Sequence, residues 1–215
     1  MRMTKSVPVF VLLAFLAACS SGSKESTKIE EGETLSKNPL GALSQLAKAG
    51  SDLEKIQKDL ENMKPVEALH FNELIKYLPE APGGWEAEAA RGETNQMGEW
   101  KFSQASRQYN SGDKSMEVQI QDWAYQYGLY APFFLSASFS QETTEGYNKG
   151  IKVGEDPGRE EYQTAQQRGN LALLVGKRFL VSIKGSTIQA QELRTWLDAI
   201  NTAGLRGLAQ AAQAQ

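Results

Sequence analysis

The sequence predicts an α+β domain built on a single, mostly antiparallel sheet of six or seven strands covered by helices. Three observations lead there. Residues 99–109, EWKFSQASRQY, and 115–125, SMEVQIQDWAY, are strand-like runs separated by NSGDK, a glycine-containing hairpin loop. LALLV (171–175) and RFLVSIK (178–184) are almost continuously apolar and joined at Gly176-Lys177, the pattern of central strands covered on both faces. Apolar residues at helical spacing bracket the strands, with Phe71, Leu74, Ile75 and Leu78 before them and Leu193, Trp196, Leu197 and Ile200 after.

Before the domain come three appendages. Arg2 and Lys5 precede an uncharged run from Val7 to Ala18, well short of the ~20 residues that span a bilayer. A basic start, a short apolar middle and small residues at the end describe a secretory signal over residues 1–18. That end, Leu16-Ala17-Ala18-Cys19, resembles the lipobox of bacterial lipoproteins. The resemblance implies cleavage before Cys19 and acylation of that cysteine. Ser20 in the next position implies outer-membrane sorting in a host with two membranes. Several acyl chains at about 0.8 kcal/mol per buried CH₂ make a stable anchor. Residues 19–37 are polar, with only Ile29 and Leu35 as sizeable apolar residues, and are expected to be an acylated tether.

Residues 38–64 have the pattern of an amphipathic helix. Asn38 and Pro39 suit its start, and Leu46, Leu53 and Leu60 recur every heptad, with Ala42, Ala49, Ile56 and Met63 on the same stripe. Such a helix serves either as a coiled-coil stalk or as a cover packed on its own domain.

The globular domain is expected over 65–203. Its first helix ends at Pro79, Pro82 and Gly83-Gly84. Alternation in the second strand puts Met116, Val118, Ile120 and Ala124 on one face and Glu117, Gln119, Gln121, Trp123 and Tyr125 on the other. A short helix is expected in 128–140, then a strand at Tyr147, Ile151 and Val153. GEDPG turns the chain into REEYQTAQQ, and a second turn is expected at Gly169-Asn170. Ser186 and Gln189 form a capping-box pattern ahead of the last helix. The Ala/Gln-rich residues 204–215 are expected to fray. This order, with the closing hairpin and helix, resembles the PsbP-like sandwich, a family that includes bacterial lipoproteins and photosystem accessory proteins. KSMEVQIQD and VGKRFLVSIKG are similar to segments of uncharacterised secreted bacterial proteins. Neither resemblance assigns an active residue.

Composition excludes several chemistries. Removal of residues 1–18 takes away two positive charges and moves the formal charge from −3 to −5. There is no basic footprint for nucleic acid, so membrane contact is expected through lipid alone. Cys19 and His70 are the only residues of their kinds, which rules out an internal disulfide, a cysteine metal site and a multi-histidine site. No serine lies in a G-x-S-x-G elbow, and no phosphate-binding glycine motif is present. No cofactor is expected. Glu155, Asp156, Glu160 and Glu161 around one turn, with Asp113, Glu117 and Asp122 on a hairpin, offer oxygen ligands for Ca²⁺ or, more simply, solvated acids.

What remains is an aromatic concentration at Trp123, Tyr125, Tyr127 and Tyr130. If the strand continues, 123, 125 and 127 project opposite the Met116-Val118-Ile120 stripe. They are then either a platform for an envelope protein or glycan partner, or a second core layer under a helix. The functional expectation is a membrane-anchored envelope lipoprotein acting as a non-enzymatic binding or assembly module. The alternative is a lipoprotein hydrolase that uses acidic residues on a cell-wall polymer. Cys19→Ala is expected to abolish palmitate labelling in the native host, and labelling that persists would remove the anchor.

Overall fold

The computed structural model describes residues 58, 62–97, 100–126, 130, 133 and 140–214. The expected signal peptide, the tether and most of the 38–64 helix lie outside them, as does most of the expected 128–140 helix. The architecture corrects the six or seven strands covered by helices. It is one nine-stranded antiparallel sheet with three short helices among the described residues. The helices are α1 (Phe71–Ile75), α2 (Ala190–Asp198) and α3 (Thr202–Gln213).

The strands are β1 (Glu86–Ala87), β2 (Arg91–Met97), β3 (Trp100–Ser111), β4 (Lys114–Asp122), β5 (Gln141–Thr143), β6 (Gly146–Val153), β7 (Asp156–Gln163), β8 (Arg168–Val175) and β9 (Phe179–Ser186). Across the sheet the order is β1, β3, β4, β9, β8, β7, β6, β5, and β2 shares the outer side of β3 with β1. β1 and β2 are one strand broken by a bulge. Ala87 pairs Tyr109 and Arg91 pairs Ser106, so residues 88–90 stand opposite only 107 and 108. β1, β2 and β5 are the strands that periodicity does not show, because they lie at the sheet edges and hold few residues that face a core.

One face of the sheet is dry. Met116, Val118 and Ile120 of β4 are fully buried, beside Val181 and Ile183 of β9 and Leu171 and Leu173 of β8. The helices close this face with Leu74 and Leu78, with Leu193, Trp196, Leu197 and Ile200, and with Leu205 and Ala209. Trp196 packs against Tyr109 at 4.5 Å and meets Trp85 edge-on at 5.2 Å. Burial pushes the Tyr109 phenol up to about 12, against the lowering charge and hydrogen bond of Arg107.

Local chemistry sets the helix ends. His70 caps α1 by accepting from Asn72 N through Nδ1 at 3.3 Å. β9 runs on to Ser186, so α2 begins later than expected, with Gln189 as its N-cap and Glu192 reaching back to accept from Gln189 N at 2.8 Å. The residues expected to fray instead form α3. Asn201 accepts from Gly204 N at 2.9 Å, and Leu205 and Ala209 are buried. Gly176 in the β8–β9 loop has φ +59°, and a Cβ there would meet the Ala209 methyl at 2.7 Å, so glycine lets α3 approach the turn.

Charged pairs fasten the helices to the sheet. Asp156 accepts from Gly176 N at 2.9 Å and from Arg206 of α3 at 2.5 Å. Glu160 accepts from Tyr147 Oη at 2.7 Å and from Arg194 of α2. Burial alone would push the Glu160 carboxyl up, but these hydrogen bonds, with the charges of Arg194 and Lys149, hold it below the usual carboxylate value.

The most buried pair is Asp122 with Arg178, whose side chains are 0% and 3% exposed. Arg178 donates through Nε to Asp122 Oδ1 at 2.9 Å and through Nη2 to Oδ2 at 2.7 Å. Arg178→Met leaves that carboxylate buried without its counter-charge, so a loss of about 3–5 kcal/mol is expected in urea unfolding. A midpoint unchanged from the native protein would show that the pair is not structural.

Candidate functional site

The other face of the sheet divides into an apolar end and a polar end. At the apolar end Tyr130, Phe133 and Leu174 are buried together, with Met63, Trp123, Ala172 and Leu180 packed around them. Beside this cluster the amides of Gln119 and Gln121 donate to Gln104 Oε1 at 2.9 and 3.1 Å, and the Trp123 indole N–H donates to Gln121 Oε1 at 3.2 Å. These glutamines are therefore occupied with one another.

Further along the strands the polar end opens into a groove of about 460 Å³, within the usual range of ligand clefts. Strand register builds it. The pairs Gln108↔Glu117, Glu117↔Lys184, Asn170↔Lys184 and Glu161↔Asn170 set five side chains in one row across β3, β4, β9, β8 and β7. At ~4.8 Å per strand the row is roughly 19 Å long. A second row lies one pleat along, where Ser115, Ser186, Arg168 and Gln163 pair in turn.

The groove's electrostatics differ from those of the helix-covered face. Among the described residues Glu117, Lys184 and Arg168 make no ion pair or side-chain hydrogen bond. Asn170 Oδ1 is buried and has no hydrogen-bond partner. An orphaned buried acceptor costs about 1–3 kcal/mol. The glutamate Glu161 is held by Arg159 at 3.3 Å. The row thus reads amide, acid, base, amide and acid across the five strands. No helix among the described residues is long and apolar enough to cross a membrane.

The aromatic residues singled out by the sequence do not form one platform. β4 ends at Asp122, and the chain turns through Ala124 and Tyr125 at φ +48° and +59°, so 123 and 125 do not continue a strand face. Tyr125 is 2% exposed and donates from Oη to Ala209 O at 2.9 Å. Tyr130 is fully buried and accepts from Tyr125 N at 3.1 Å. Burial raises the pKa of both phenols. Trp123 is half-buried, edge-on to Tyr130 at 5.0 Å. Tyr127 lies outside the described residues. Cys19, the expected lipidation site, also lies outside them.

The acidic residues disperse too. Asp156 and Glu160 face the helices, Glu117 and Glu161 face the groove, Asp122 is buried, and Asp113 and Glu155 are in exposed turns. Among the described residues no three metal-ligating side chains converge. Sequence reasoning missed Lys184, Asn170 and Arg168. The signal for Lys184 was present as Ser182, Lys184 and Ser186, a period of two set against Val181, Ile183 and Gly185.

No family model matches the chain, and neither does any curated protein or solved structure compared with it. The groove's geometry is therefore the guide to function. Glu117→Ala and Lys184→Ala are each expected to change stability by no more than about 0.5 kcal/mol, since neither side chain is engaged. Tyr125→Ser is expected to cost about 3–5 kcal/mol by emptying a core site. Thermal and urea melts of the three variants separate groove from core.

Proposed function

We propose that this chain is a membrane-anchored envelope lipoprotein and that the polar groove is its non-enzymatic binding module. The observation that carries this reading is the cluster of unengaged Glu117, Lys184 and Arg168 over two neighbouring rows beside Asn170, in a fold whose helix-facing acids are paired. The lipobox-like Leu16–Cys19 and the polar tether supply the anchor, and Ser20 suggests the outer membrane. In the hydrolase alternative two carboxylates must face one bond with about 5–9.5 Å between them. Glu117 and Glu161 are three strands apart, about 14 Å at ~4.8 Å per strand, with Lys184 and Asn170 between them. That spacing suits recognition better than paired acid–base chemistry.

The test is affinity capture from the native envelope with the intact acylated protein and with the triple variant Glu117→Ala, Lys184→Ala and Arg168→Ala. The expected outcome is a component that the native protein retains and the equally folded variant loses. Equal recovery by both proteins would place the binding surface elsewhere.

A further inference from the structure

With the groove taken as the binding module, its charges describe the ligand. Two carboxylates, Glu117 and Glu161, face two cations, Arg168 and Lys184. A polyanion meets the acids and a polycation meets the bases, so neither complements the whole surface. Among the described residues no aromatic ring lines the groove, which leaves a sugar ring no face to stack on. The fitting ligand carries one charge of each sign, set apart.

The register sets that distance. Glu117 and Arg168 lie two strands and one pleat repeat apart, on β4 and β8 with β9 between. With ~4.8 Å per strand and ~3.4 Å per residue, their Cα atoms are about 12 Å apart. An extended chain covers ~3.3–3.6 Å per residue, so three residues bring their two ends to these side chains. Lys184 and Arg168 are diagonal neighbours on adjacent strands, within mutual reach of one carboxylate.

We propose, on the basis of the binding-module reading, that the groove binds a short zwitterionic peptide of about three residues. Its carboxylate sits on Arg168, with Lys184 reaching across from the next strand, and its ammonium sits against Glu117. The test titrates the isotope-labelled full chain with trialanine, N-acetyl-trialanine and trialanine amide, following backbone amide shifts. Shifts confined to 115–117, 168–170 and 184–186 are expected, with affinity lower by roughly fivefold or more when either end is capped. The double variant Arg168→Gln and Lys184→Gln should bind trialanine and its amide alike, and Glu117→Gln should remove the penalty for acetylation. Equal binding of free and capped peptides, shifts elsewhere, or no response to trialanine overturns the proposal. If trialanine fails while envelope capture is still lost in the groove variant, the peptide alone is wrong. If both fail, the binding-module reading falls with it.

Discussion

The buried Asp122–Arg178 pair is the constraint on which the rest of the structure depends. A carboxylate and a guanidinium taken out of water each lose several kcal/mol of solvation, so the pair persists only with its remaining hydrogen-bonding capacity filled. It is filled here. Asp122 also accepts from Leu69 N at 2.8 Å and Ala124 N at 2.9 Å, and Arg178 donates to Glu67 O at 3.2 Å. The guanidinium lies 4.9 Å from the Phe179 ring and 5.9 Å from that of Tyr125. One pair therefore fixes β4 against the β8–β9 loop, draws the segment at 67–69 onto the domain, and stops β4 at its own position. The two left-handed residues beyond the stop cost about 1–2 kcal/mol each, and the hydrogen bond from Ala124 N to Asp122 holds the first of them.

That stop divides the aromatic residues. Beyond it Tyr125 enters the core and hydrogen-bonds to α3, while Trp123 turns to the opposite face and joins Tyr130, Phe133 and Leu174. The sheet is thereby dry on its helical face and dry at one end of the other. The helical face also uses up the charges that point into it: Glu160 with Arg194, Asp156 with Arg206, and Lys114 with Glu192 at 3.0 Å. The polar rows of the open face keep Glu117, Lys184 and Arg168 unspent, as an antiparallel sheet with one wet face allows.

The parts legible in the sequence are those where burial differs between alternate residues. Met116, Val118 and Ile120 are on the core face as their period of two requires, and Leu193, Trp196 and Leu197 form the buried stripe of α2. β2 escapes notice because RGETNQM has no apolar alternation, and only its pairing to β3 makes it a strand. Gly169-Asn170 looks like a turn, yet a Cβ at Gly169 would meet Leu193 Cδ1 at 2.7 Å. That glycine admits a helix and lies inside β8, which is what puts Asn170 in the groove. β9 reads as doubly covered because its first outward residue is Leu180, but beyond Ser182 the outward residues are polar and half or fully open. The aromatic cluster misleads for a tertiary reason. Nothing in the order of residues 115–125 announces that Asp122 will be captured by an arginine 56 positions later.

The separation of faces also bears on how tightly such a groove binds. Backbone register fixes the Cα spacing of Glu117, Lys184 and Asn170, so the scaffold is preorganised even though the side chains are not. Each long side chain immobilised by a ligand forfeits about 0.5–1.5 kcal/mol, and Lys184 and Arg168 are exposed and screened by salt. A single groove of this kind would bind with modest affinity and discriminate by charge order. An anchor at Cys19, as proposed, would compensate for that weakness: copies held in one membrane plane would meet a repeating target at high effective concentration, and linked weak contacts gain about 10²–10⁴-fold over one alone. A soluble copy of the same domain would lack that gain. On this reading the acyl chains and the tether are part of the binding mechanism, and the sheet's contribution is the pattern that the target must match.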